Sequence, residues 1–341
     1  MRRPTIQDVA KRADVTAAAV SFALNGRPGV SEETRRRVVR IAREIGYRPN
    51  RAARALSMGT AGALGMVIDR PARSIGTEPF FMQLIAGIQS ELSSDGAGTA
   101  LLFRMADDAG AESATYRDWW SAGHVDGVFL VNPHCEDQRF RELQAVGMPA
   151  IVLGSAETTL PTIASDETPF ARQILLHLHD LGHREVARVS GPRTLVHTVE
   201  RDIAYARVAA ELGMNYESVV GDYSRDTGIG CTSELLSRRP RPTAILYDND
   251  VMALAGLETA RAQGVSVPEE LSIASWDDSI LCELAQPNIS ALTRDVSAFG
   301  AYAARSLLEL TRGREPSDDY VETRSLTVRD STARATREVR P

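Results

Sequence analysis

From residue 62 onward the chain alternates apolar runs of strand length with stretches of helical periodicity, in two successive series. The first reads ALGMVI (63–68), a helix over 82–92, TALLF (99–103), a helix over 112–121, VDGVFLV (125–131), a helix over 136–146 and PAIVLG (149–154). The second reads a helix over 168–181, EVARVSG (185–191), a helix over 199–212, a strand over 218–222, a helix over 226–237, TAILYD (243–248), a helix over 250–263 and LSIASW (271–276). Near-continuous apolar strands suit a parallel sheet covered on both faces. The expected fold class is α/β, with two doubly wound parallel sheets forming two similar lobes. Such sheets bind small molecules beyond the C-terminal ends of their strands, which puts a site between the lobes.

The first 60 residues have a different texture. Ile6, Val9 and Ala10 recur at helical spacing, Asp14-Val15-Thr16 interrupts, and Val20, Ala23 and Leu24 resume the pattern. Two short helices joined by a tight turn is the helix-turn-helix plan, so a small all-α head is expected. Asn25-Gly26 can stop the second helix, and Ser31 followed by Glu32 and Glu33 can start a third, with Val38, Ile41, Ala42 and Ile45 as its apolar stripe. The head carries 13 Lys and Arg against 5 Asp and Glu, a net of +8 in a chain whose total is −6. A basic head on an acidic body aims the head at phosphate. Residues 50–57 can form a short helix with little apolar surface of its own, which reads as a hinge.

Composition narrows the alternatives. At 341 residues the chain is long for one domain. MRRPTIQDVA has basic residues but no apolar segment behind them, so a secretory signal is not expected. No apolar run reaches the roughly 18–20 residues of a membrane span. Cys135, Cys231 and Cys282 are far apart and form no paired motif, so neither a disulfide framework nor a zinc site is suggested. A cytoplasmic protein is the expectation. No cofactor and no metal are expected, and the histidines make no ligand set.

The motifs, taken in order, resemble the LacI/GalR family of bacterial transcription regulators. In the head they are Asp8-Val9-Ala10, Val15-Thr16, Val20-Ser21, Leu24-Asn25, Val30-Ser31, Thr34-Arg35 and Gly46-Tyr47-x-Pro49-Asn50. In the body they are Val125-Asp126-Gly127, Leu181-Gly182-His183, Arg201, Pro242-Thr243-Ala244-Ile245, Asn249-Asp250, Val267-Pro268 and Trp276-Asp277-Asp278. The resemblance implies a homodimer that binds a near-palindromic operator in double-stranded DNA and closes its lobes on a small-molecule effector, a carbohydrate by expectation. It implies a helix-turn-helix domain over 1–48, a hinge over 49–60 and an effector domain over 61–330. The N-lobe would be about 61–161 with 292–320, and the C-lobe about 162–291 with 321–330. Residues 331–341 are expected to form a disordered tail.

By that resemblance Thr5, Ser21, Asn25, Thr34 and Asn50 grip phosphate, with Thr16 at the turn, although Thr5 and Asn50 could also cap helices. Base reading falls on Ala17, Ala18 and Phe22. The alanines offer only methyl groups to a base edge, and Phe22 either makes apolar contacts with DNA or packs in the core. Leu56 matches an apolar wedge that kinks the duplex from the minor groove, and Ala53 leaves room for two hinge helices to meet.

In the effector pocket Arg201 matches the ligand-binding arginine, whose guanidinium can grip vicinal hydroxyls or a carboxylate. Asn249 and Asp277 suit hydroxyl-rich ligands. Phe80, Phe81, Tyr223 and Trp276 could be apolar walls or plain core, and His197 falls in a pocket-lining segment. Phe170 and Ala204 stand where glycines are common, and Ala274-Ser275 is also enlarged, so a narrowed cleft is expected. A solute-binding protein of the same two-lobe plan is the alternative, but the basic head speaks against it. An enzyme is not expected: Asp277 and Asp278 are adjacent carboxylates, but there is no nucleophile–base set and no phosphate loop.

Overall fold

The computed structural model describes residues 4–24, 28–47, 60–70, 76, 78–316 and 320–336. The chain divides into two compact units, Met1–Gly62 and Ala63–Pro341.

In the first unit, helix α1 (Ile6–Ala13) begins at a capping box. The Thr5 backbone N–H donates to the Asp8 carboxylate at 2.7 Å, and the Asp8 N–H donates to the Thr5 hydroxyl at 3.4 Å. Helix α2 (Ala17–Leu24) follows after Asp14, whose left-handed backbone turns the chain. Helix α3 (Glu32–Glu44) starts at Ser31, whose hydroxyl accepts from the Thr34 N–H at 3.2 Å. Val9, Ala10, Ala13, Val20, Ala23, Val38, Ile41 and Ala42 close one small core among the three helices.

The second unit carries two sheets. The N-lobe strands are β1 (Ala63–Asp69), β2 (Ala100–Ala106), β3 (Gly127–Val131), β4 (Ala150–Leu153) and β5 (Thr162–Ile163), in the all-parallel order β2-β1-β3-β4-β5. Between them run α4 (Pro79–Ser94), α5 (Ala109–Ser121) and α6 (Gln138–Ala145). The C-lobe contains α7 (Thr168–Asp180), β6 (Glu185–Ser190), α8 (Val196–Glu211), β7 (Asn215–Val220), α9 (Arg225–Ser237), β8 (Ala244–Tyr247), α10 (Asp250–Ala262), β9 (Ser272–Ser275), α11 (Ile280–Leu284) and β10 (Ser290–Arg294). Helix α12 (Val296–Thr311) then returns to the N-lobe, and β11 (Arg324–Thr327) goes back to the C-lobe sheet. That sheet has the order β11-β10-β9-β8-β6-β7, antiparallel only at β10–β11.

Burial on both faces explains the unbroken apolar strands. In the N-lobe, Leu64, Met66, Ile68, Phe129, Val131, Ile151 and Leu153 face α4 and α12. Val67, Val128, Leu130, Ala150 and Val152 face Tyr116 and Trp119 of α5 and Phe140 and Leu143 of α6. Helices α4 and α12 cross at contact distance because Gly87 and Gly300 lie at the crossing. A Cβ on Gly87 would sit 2.0 Å from the Ser297 carbonyl oxygen, and one on Gly300 would sit 2.4 Å from that of Leu84.

Three boundaries differ from expectation. Thr162–Ile163 pairs with β4 and so belongs to the N-lobe, while 292–294 belongs to the C-lobe sheet as the end of β10. Residues 331–336 are not a disordered tail. Ser331 is fully buried; its carbonyl accepts from the Ile273 N–H at 2.9 Å, and its hydroxyl donates to the Ile273 carbonyl at 2.6 Å. The Ala333 N–H donates to the Ser272 hydroxyl at 3.1 Å, and the Ala335 N–H to the Leu181 carbonyl at 2.9 Å. The segment is polar because its small polar groups satisfy backbone beside β9, not because it is solvated.

Candidate functional site

On the head, α2 buries Val20 and Ala23 and leaves Ala18 and Phe22 exposed one turn apart on the opposite face. Phe22 retains 37% of its surface, so it is not a core residue, although Gly29 flanks its ring. Ala17 and Ser21 are half-buried, and the exposed Thr16 accepts from the Ala19 N–H at 3.1 Å, which caps α2. Thr5 and Thr34 are both committed to hydrogen bonds at the helix starts, Thr34 through a 2.9 Å contact between its hydroxyl and that of Ser31. Asn25, Asn50, Ala53 and Leu56 lie outside the described residues, as do residues 49–59 of the expected hinge.

The second site is a partly open cavity of about 100 Å³ between the lobes. Its polar lining comes from the C-terminal ends of strands in both sheets. Arg70 follows β1, Asn132 follows β3, Ser155 follows β4 and Glu167 follows β5. From the other lobe Tyr223 follows β7, Asn249 follows β8, Asp277 follows β9, and Arg294 ends β10. Phe80, Phe81, His197 and Arg201 also line it, so seven of the eight expected pocket residues meet there.

Trp276 does not line the cavity; it is 1% exposed in the C-lobe core, and its ring supports two guanidiniums. Arg201 lies 4.5 Å and Arg324 5.2 Å from its centroid. Phe170, expected to narrow the cleft, is likewise absent from the lining and lies beneath Arg324 at 5.0 Å. Ala204 and Ala274 pack in the same core. What these rings carry into the lining is Arg324.

The lining is held by alternating charges. Arg201 donates through Nε to Glu167 at 3.1 Å, and the same carboxylate lies 3.7 Å from Arg324. Arg324 donates to Glu322 at 2.8 Å, as does Arg294, which also approaches Asp277 at 3.8 Å. Glu322, although buried, is pulled down to about 2 by Arg324 and Arg294. Burial pushes Glu78 up to about 7, with Asp277, Asp250 and Asp222 across the cleft adding to the rise and Arg70 opposing it. Arg294 also stacks on Phe80 at 4.8 Å, and Arg70 on Tyr223 at 5.1 Å.

Several expected ligand groups are already engaged with the protein. The Asn249 carbonyl accepts from the Met252 N–H at 2.9 Å, capping α10, and its amide donates to the Tyr223 carbonyl at 3.1 Å. The Tyr223 hydroxyl lies 2.8 Å from His197 Nε2 and 3.2 Å from the Thr198 hydroxyl. Burial, then the surrounding arginines, holds His197 well below the usual imidazole range, so it is neutral. Behind the cavity, Arg188 is fully buried and donates twice to Asp248, at 2.7 and 2.6 Å, and Asp248 accepts from the Gly191 N–H at 3.0 Å. This network fixes the loops that carry Tyr223 and Asn249.

Sequence reasoning missed Arg70, Glu78, Asn132, Glu167, Arg294, Glu322 and Arg324. Arg70 and Asn132 follow N-lobe strand ends, a signal the strand runs already contained, whereas Glu78 stands at the start of α4 and Glu167 follows the two-residue β5, which no apolar run marks. The last three depend on β10 and β11, which the apolar pattern did not reveal. The lobes also meet through backbone alone: the Cys135 N–H donates to the Thr194 carbonyl at 2.8 Å and the Val196 N–H to the Pro133 carbonyl at 2.9 Å.

Comparison with known proteins finds matches for both parts of the chain. Residues 5–50 match the model of bacterial regulatory proteins of the lacI family, and residues 175–332 match a periplasmic binding protein-like domain. The HTH-type transcriptional regulator CelR of Thermobifida fusca is 33% identical, over 97% of this chain and 98% of that protein. A CelR–cellobiose complex superposes with a TM-score of 0.71 at 29% identity, covering 96% of this chain and 100% of the other. The lac repressor dimer bound to operator and an anti-inducer superposes with a TM-score of 0.82 at 25% identity, covering 97% and 100%.

Proposed function

The chain belongs to the lacI family of bacterial regulatory proteins, and on that premise we propose that it is a repressor whose hold on its operator is set by a sugar or sugar derivative bound between its lobes. Membership makes it a ligand-controlled DNA-binding regulator rather than an enzyme or a solute carrier. Among the described residues no helix is long and apolar enough to cross a membrane, and we place its action on DNA in the cytoplasm.

The observation that carries the reading is the convergence of Arg201, Asp277, Asn249 and Tyr223 with Phe80, Phe81 and Asn132 in one cavity between the two lobes. Arg201 and Asp277 face a ligand as donor and acceptor, and Tyr223 and Phe80 supply apolar surface. Trp276 acts behind them, as a platform. In the head Ala18 and Phe22 face the major groove, Ala17 lies beside them, and Thr5, Thr16, Ser21 and Thr34, with Asn25 and Asn50, hold the phosphates. Two copies of the chain pair on a near-palindromic site, with Leu56 and Ala53 at its centre. A ligand that favours one lobe arrangement shifts the dimer toward it and lowers operator affinity.

The test is operator binding by the full chain, followed by fluorescence anisotropy with and without a sugar panel. A sugar that releases the operator from the wild type but not from Arg201→Ala supports the reading. A sugar that tightens operator binding reverses the sign of the switch. Leu56→Ala should weaken specific binding far more than non-specific binding, and equal losses would remove the hinge from the mechanism.

A further inference from the structure

The interlobe cavity holds more hydrogen-bond donors than its own oxygens satisfy. Four buried side-chain nitrogens that belong to its lining have no partner: Arg70 Nε, Asn132 Nδ2, Arg294 Nε and Arg324 Nη1. They come from both lobes. Among the described residues, no lining side-chain oxygen is likewise buried and unpartnered. A buried N–H without an acceptor costs the desolvation of that group, so clustered orphans of one polarity call for a ligand of the other.

One guanidinium of the lining stands apart from the carboxylates. Of the four lining guanidiniums, Arg201, Arg294 and Arg324 engage the carboxylates of Glu167, Asp277 and Glu322. Arg70 has no ion pair among the described residues and rests on Tyr223. Neither of the other two lining carboxylates, Glu78 and Glu200, forms an ion pair with it among the described residues, and burial raises both, Glu78 to about 7. The cavity, at about 100 Å³, is also small beside the roughly 300–1,000 Å³ of ordinary ligand sites, which favours one sugar ring over two.

We infer that the ligand of this cavity is an anionic monosaccharide whose carboxylate or phosphate oxygens accept from Arg70, Asn132, Arg294 and Arg324, while its hydroxyls meet Arg201 and Asp277. This rests on the reading of the cavity as the effector site. Arginine forks are suited to such oxyanions and bind them through charge-assisted bonds stronger than those to hydroxyls.

The test is calorimetric titration of the full chain with matched probes: glucose, gluconate, glucuronate and glucose 6-phosphate; galactose and galacturonate; and cellobiose as a neutral disaccharide. At least one anionic probe should bind about tenfold or more tightly than its neutral counterpart. Whether that probe is a carboxylate or the phosphate identifies the oxyanion. Arg70→Gln and Arg324→Gln should each remove most of the preference; if Arg324→Gln does not fold, Arg70→Gln decides alone. Neutral probes binding as tightly as every anionic one, no anionic probe binding at all, or a preference that survives these substitutions would each overturn the inference. Operator release is read in parallel. An anionic ligand that binds without moving operator affinity keeps this inference and removes the proposed switch, whereas a neutral sugar that alone binds and releases the operator does the reverse.

Discussion

The ring of Tyr223 occupies the space a side chain at Gly191 would need: a Cβ there would lie 2.1 Å from both its Cζ and its hydroxyl oxygen. Tyr223 itself has a left-handed backbone, φ 69°, so the ring cannot simply swing aside with its chain. Gly191→Ala should displace the ring from His197 and Thr198. The expected result is a loss of about 1–3 kcal/mol in stability and a weakened ligand response, with operator affinity retained. A thermal melt and an anisotropy titration on the same variant separate the two effects. An unchanged melt with unchanged ligand response would show that the ring has another place to go.

Glu167 lies between two buried guanidiniums, Arg201 and Arg324. Glu167→Gln removes the charge while keeping the shape. Stranding buried positive charge costs about 3–5 kcal/mol when one partner of a pair is removed, and Glu322 should hold the loss for Arg324 below that range. A chemical denaturation midpoint checks it, and Glu322→Gln should behave as a second, non-additive lesion in the same chain of charges.

Glu78 should make the closed arrangement of the lobes sensitive to pH. Its carboxyl, raised from an ordinary 4.5 to about 7, binds a proton more readily when buried against the C-lobe than when free. Its contribution is therefore full below pH 4.5 and fades as pH rises through 7. Burial also raises Glu112 to about 7 inside the N-lobe, against the pull of Arg139, and gives the same slope. Glu78→Gln should flatten the pH dependence of ligand affinity between pH 5 and 8, whereas Glu112→Gln should flatten only that of the melting temperature.

Phe22 should be dispensable for folding and needed on DNA. Phe22 is 37% exposed and absent from the head's core, so Phe22→Ala should cost the head less than the roughly 3–5 kcal/mol of a fully buried Phe→Ala. Specific operator affinity should fall about tenfold. A large stability loss with unchanged specificity would return Phe22 to the core.

The segment after β11 should act as part of the C-lobe. Truncation after Asp330 removes the Ser331 bridge between Ile273 and Ser290 and should lower the melting temperature by several degrees. Ser331→Ala should reproduce part of that drop.

How far the sequence discloses this molecule follows from what each element must bury. Strands such as Gly127–Val131 and Ala244–Tyr247 are covered on both faces, so their residues are apolar without interruption and easy to read. The strand Ser290–Arg294 closes with Thr293 and Arg294 and pairs with a strand more than thirty residues on, so nothing local announces it. Among the residues the resemblance singles out, Asp277 and Tyr223 reach the cavity from just beyond strand ends, and Arg201 from the second turn of α8. The resemblance put Trp276 there as well. Burial separates neighbours that a motif treats as one: Asp277 reaches the cavity and Trp276, one residue earlier, points to the other side of the same strand end.

The charged groups of the cavity have one further property, which comes from the path of the chain. Glu167, Arg294 and Glu322 sit on or beside the three segments where the backbone passes from one lobe to the other. A ligand held by Arg294, beside Glu167 and Glu322, would sit at the pivot and not at the tips of the jaws. Force applied near a fulcrum produces little local travel and large travel far away, so the atoms around the ligand need shift by only fractions of an ångström to swing the distant faces of the lobes. A switch of this kind is geared for reach: its sensor would lie where the lobes move least, and its output would be read where they move most.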